Sequence, residues 1–126
     1  MGYDSPASVV SINAVVAVRK GQIVKLSGSS VTPCTAAGEA FFGVALYDAE
    51  AGKLVSVCVS GECDVEVDDA TLAIGSLAQT NASGRAIIVA SGDHVVGTML
   101  EPGAAVISSR AAYRRICVRL APVVTA

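Results

Sequence analysis

The string GEAFFGVAL at residues 38–46 returns as GDHVVGTML at residues 92–100, 54 positions later and without a gap. The same spacing lays Gly21 on Gly75, Ile23 on Leu77 and Cys63 on Cys117, so that glycines coincide at 21/75, 38/92 and 43/97. A chain that uses one β-unit twice is confined to few folds. Each unit supplies half of a core, and glycines at matching places mark matching turns and close backbone approaches. The spacing predicts two related halves, with Cys63 and Cys117 in equivalent places.

The 126 residues suffice for one domain with little apolar surface to spare. Hydrophobic residues make up 52% but aromatics only 4%, and Trp is absent, so Ala and Val must build a thin core. Valine's branched Cβ suits a pleated surface. Strand-like segments run over residues 21–28, 41–47, 53–60, 62–68, 75–84, 85–91, 95–100, 104–109 and 113–120, punctuated by glycine and proline. Gly61 reads as a turn between two of them. This pattern predicts an all-β fold, a small β-barrel or sandwich with an internal duplication. Residues 1–17 begin with breakers and continue Val/Ala-rich without amphipathic order. The breakers of residues 1–8 read as extended, and the stretch from Val9 to Val18 as either a buried strand or a segment laid on a neighbour. Together residues 1–17 are taken as an extended N-terminal arm, leaving residues 18–126 as the β-rich domain.

Charge is sparse at 16% and the net value is −2, a poor match to a phosphate backbone, so no nucleic-acid partner is expected. No apolar run reaches the roughly 18 residues of a membrane span, and the start lacks a signal peptide's basic and apolar regions. Assembly in a cytoplasm follows, with the four cysteines (34, 58, 63, 117) as free structural thiols. They lack zinc-ligand spacing. The AGKL at 51–54 has Tyr47 where a phosphate loop needs glycine and Leu54 where it needs Ser or Thr, so it reads as a hairpin turn. Asp93 and His94 are adjacent, which on a strand sends them to opposite faces, so the pair reads as an exposed turn and not as part of a triad. Glu62, Asp64, Glu66 and Asp68 alternate along one face, the signature of a solvated face or a blunted edge. Arg110, Arg114, Arg115 and Arg119 lack the interleaved aromatics of a base-stacking surface and read as a protein-contacting patch paired with carboxylates. No catalytic, cofactor-binding or metal-binding set emerges, and no enzyme is expected.

Several stretches resemble a known family: KGQIVKLSG (20–28), FGVAL (42–46), AGKLVSVCVSG (51–61), IGSLAQT (74–80) and RICVRL (115–120). They are similar to the small capsid decoration (cement) proteins of tailed bacteriophages, and more distantly to lambda head-decoration-like proteins. The resemblance implies a β-rich fold, a homotrimer on the outside of the virion, the major capsid protein as partner and a mobile N-terminal arm. Tyr3, Pro6, Val9 and Val10 would then be the arm's apolar anchors, with Arg110, Arg114 and Arg115 as further partner contacts. The alternative is another small β binding module, such as a biotinyl or lipoyl carrier. Lys53 sits beside a turn as a carrier lysine would, but between Gly52 and Leu54 instead of methionines.

Overall fold

The computed structural model describes residues 8–90, 92–106 and 112–119. They form nine strands: β1 (Ser8–Asn13), β2 (Ile23–Ser27), β3 (Ser30–Pro33), β4 (Gly43–Ala45), β5 (Leu54–Val67), β6 (Leu77–Thr80), β7 (Ala86–Ile88), β8 (Gly97–Met99) and β9 (Ala112–Val118). Among the described residues no helix is long and apolar enough to cross a membrane.

The strands close into two rings. In the first, the N-terminal half of β5 pairs with β1 and β4, β4 pairs with β2, and β2 pairs with β3. A parallel bridge between Ala14 and Val31 closes the ring. In the second, the C-terminal half of β5 pairs with β9, β9 with β8, β8 with β6 and β6 with β7. The parallel pairing of Val67 with Ala86 closes it. Closure satisfies backbone groups that an open sheet would leave at its edges. The architecture is therefore two five-stranded barrels sharing the 14-residue strand β5.

The duplication is visible bond by bond. Gly21 N donates to Ala45 O as Gly75 N does to Met99 O; Phe42 N donates to Val24 O as Val96 N does to Ala78 O. Ala49 N donates to Val18 O as Gly103 N does to Leu72 O. The glycine pairs repeat for physical reasons. Gly21 and Gly75 share a positive φ (81° and 89°), open to glycine without strain. Gly43 and Gly97 have no room for a side chain: a Cβ would stand 2.4 Å from the Cys58 carbonyl oxygen and 2.2 Å from that of Cys117.

That last pair corrects one expectation. The structural counterpart of Cys117 is Cys58, not Cys63: Val44 pairs with Cys58 as Thr98 pairs with Cys117. Leu46 N donates to Ser56 O and Leu100 N to Arg115 O, so the second unit has gained five residues between Gly103 and Ala112. The insertion breaks the 54-residue spacing before Cys117.

Three further differences share one cause, pairing between distant segments. Gly61 is no turn; although its φ is 97°, β5 runs straight through it, because Gly61 pairs with Val118. Of the stretch expected to be an arm, Ser8–Asn13 form β1, held in register by β5 from Ser60 to Leu54. Residues 104–106 are not a strand, and residues 107–109 of that expected strand lie outside the described residues.

Candidate interaction surfaces

The acidic alternation of 62–68 falls on the central strand, where it is paired, and not on a blunted edge. Glu66 is 3% exposed and its carboxylate accepts from Arg19 Nε (3.1 Å), Arg19 Nη2 (3.0 Å) and Arg85 Nε (3.3 Å). A buried charge is tolerable only with such partners, and removing one partner typically costs about 3–5 kcal/mol when the pair is fully desolvated. Arg19 is half-exposed, which lowers that figure. Arg19 comes from the first unit, Glu66 and Arg85 from the second, so the cluster clamps barrel to barrel. Backbone bonds reinforce it: Glu66 N donates to Gly21 O (2.8 Å), Ile23 N to Gly84 O (2.8 Å) and Gly38 N to Thr80 O (2.9 Å).

Beside the clamp lies a hollow of about 320 Å³ lined by Lys20, Leu46, Tyr47, Glu62, Cys63, Asp64 and Arg115. Arg115 bridges Glu62 (3.0 Å) and Asp64 (3.6 Å), and Lys20 reaches Asp64 at 3.9 Å while standing 5.4 Å from the Tyr113 ring centre. The charges here satisfy one another. The Glu62 hydrogen bond holds the Arg115 guanidinium above its ordinary value.

Two of the buried thiols are held protonated by their surroundings. All four are free, and Cys34, Cys58 and Cys63 are buried. Burial pushes Cys34 up to about 12; Cys63 is pushed up by the hydrogen bond it donates to Cys58 and by burial, and the same bond draws Cys58 down. His94 is half-buried, its Nδ1 3.2 Å from Gly38 O, where an exposed turn was expected.

The partner-binding residues read from sequence do not converge. Tyr3, Pro6 and Arg110 lie outside the described residues. Val9 and Val10 are on β1 with exposed side chains. Arg114 Nε donates to Pro102 O, whereas its neighbour Arg115 is engaged with the acids of β5. Arg19, Lys20 and Arg85, which complete the ionic network, went unread. The acid at every second position of 62–68 was the signal that cations were required, but only the topology decides which ones.

Two closed β-barrels fused through a common strand, tied together by an ionic cluster on that strand, define a small all-β protein. The phage cement protein family matches residues 5–116, and the chain belongs to that family: it is a capsid-associated protein of a bacteriophage. Its fold is similar to that of the head fiber gp8.5 N base in bacteriophage phi29, with a TM-score of 0.64 at 14% identity over 90% of this chain and 95% of that one. No curated protein matches.

Proposed function

We propose that this protein binds the outer surface of a phage head as a homotrimer and stabilises contacts between major capsid protein subunits, performing no chemistry. Family membership over residues 5–116 is the observation that carries this reading. The physics is compatible with it. Large apolar side chains outside the core, among them Val9, Val10, Leu26 and Ile74, are exposed, as suits apolar contacts to a partner surface. A trimer touching neighbouring subunits separates only when several contacts break together, which raises effective affinity by roughly 10²–10⁴ over a single contact. Tyr3, Pro6, Val9 and Val10, with Arg110, Arg114 and Arg115, are the proposed contacts to the shell or between protomers. The protein would be made in the host cytoplasm and reside on the virion exterior.

The test is to add purified protein to capsids lacking it and follow thermal disruption. Saturable binding with a raised disruption temperature is expected. Absence of binding, or binding with an unchanged disruption temperature, refutes the reading.

A further inference from the structure

The junction between the two barrels is directional, and each chain carries a copy of both of its sides that is unused among the described residues. One side is the 19–22 loop of the first unit, which lies on the outer edge of β5: Gly21 O accepts from Glu66 N, Arg19 grips Glu66 and Lys20 reaches Asp64. A Cβ on Gly21 would meet Tyr113 and Glu66 within 3 Å. The counterpart loop in the second unit is 73–76, with the same internal bond (Gln22 N to Arg19 O, Ser76 N to Ala73 O). There a Cβ on Gly75 meets nothing within 4 Å, and Ile74, in the place of Lys20, is 70% exposed.

The other side of the junction is likewise duplicated. The registers of β1 and of residues 62–67 against their partners make Val10, Ser11 and Asn13 the counterparts of Cys63, Asp64 and Glu66. Val10 is 38% exposed where Cys63 is 4%. Leu26 is 53% exposed where its counterpart Thr80 is fully buried. Gly84, in the hairpin between β6 and β7, packs against Gln22 and the Ile23 carbonyl, whereas Gly28, in the hairpin between β2 and β3, has open space. Among the described residues, nothing on β1 occupies the place that Gly21 takes on β5.

We propose that a second copy of this chain fills it: the Ala73, Ile74 and Gly75 loop of one protomer docks on the β1 edge of the next, repeating between chains the junction that joins the barrels within one. The chemistry of the two versions differs in a way that keeps them apart. Inside the chain the contact is ionic, Arg19 and Lys20 on Glu66 and Asp64; between chains it sets Ala73 and Ile74 against Asn13 and Ser11, with Val9 and Val10 beside them. An arginine-bearing loop finds no acid on β1, and an isoleucine-bearing loop would bury an apolar side chain among the acids of β5. A contact of this kind is heterologous, so each protomer has one used and one offered side, and the set closes into a ring where the rotation permits. The proposal rests on the self-association in the reading above and is independent of what the ring binds.

Crosslinking of the full chain tests it. Ser11→Cys and Ile74→Cys proteins, carrying tags of different mass, are mixed and treated with a short bismaleimide, with the parental protein as control for the native thiols. The expected product is the mixed pair, with neither single variant linking to itself. Light scattering is run on both variants and on Ile74→Asp, a substitution at an exposed position, which should dissociate the assembly with at least a tenfold loss of apparent affinity. Same-variant links in place of the mixed pair, or an Ile74→Asp protein that remains fully assembled, overturn the docking mode while leaving a trimer intact. A protein monomeric at every concentration overturns the docking mode too, and the capsid assay then judges the cement reading separately.

Discussion

The two barrels have the same wall and differently filled interiors. Position by position, Val24 and Val31 of the first shrink to Ala78 and Ala86 in the second, while Ala45 and Val57 grow to Met99 and Ile116. Ala14 and Val18 are matched by Val67 and Leu72, and Val59 by Val118. Volume lost on β6 and β7 is returned on β8 and β9. Interiors are packed close to crystal density, so a duplicated unit can drift only by such paired exchanges. The backbone glycines have no such freedom and stayed put, which is why they, and not the apolar residues, betray the repeat.

The largest expected effect breaks the wall. Gly97→Val drives a side chain into the Cys117 carbonyl and should cost about 3 kcal/mol or more, with Gly43→Val equally damaging against Cys58. Urea denaturation checks this, and a mild cost at one site but not the other would show that the barrels are not equivalent there. A smaller effect sharpens the volume exchange. Ala45→Met alone should overpack the first barrel by about 1–3 kcal/mol. Adding Val24→Ala, which restores the combination Ala78 and Met99 found in the second, should recover a part of that loss large enough to appear as coupling in a double-mutant cycle. Strict additivity would mean the two positions do not share space. The smallest effect concerns one carboxylate in each unit. Burial opposes ionisation of Glu39, but Lys25 and the Ala36 and Thr35 amides hold it below the usual range; Asp69 is likewise partly buried, yet held low by Thr71 and the Ile88 amide. A carboxyl depressed in the folded state stabilises above its unfolded value and loses that contribution as pH falls through the folded one. Stability should therefore decline as pH falls below about 5, and Asp69→Asn should flatten the Asp69 share of the slope in acid titrations followed by thermal melting.

Much of the fold was legible from residues. The offset of 54 and the alternation through 62–68 appear where spacing placed them, and the strand read over 21–28 is there as Ile23–Ser27. What escaped was whatever depends on segments far apart in the chain. Gly61 carries every local mark of a turn, and only Val118 opposite it keeps β5 extended. β1 has no amphipathic order because it is exposed on both faces, and it becomes a strand only through the register that β5 imposes. Cys117 looked equivalent to Cys63 because an ungapped comparison cannot see five residues inserted after Gly103. The surface residues were the least legible. Arg115 belongs to β5's acids, some fifty residues away, and Arg114 to the carbonyls of Pro102 and Tyr113.

The shared strand has a mechanical meaning. Two barrels joined by a loop would be beads on a string, each able to melt while its neighbour stayed whole and the slack absorbed any pull. Here a tug on β1 or β4 is delivered along the covalent backbone of β5 to β9, with no compliant element between. Each ring takes all of its strands from one side of Gly61, residues 8–60 for the first and 61–118 for the second, so the unbroken backbone of β5 is what turns two complete rings into one body.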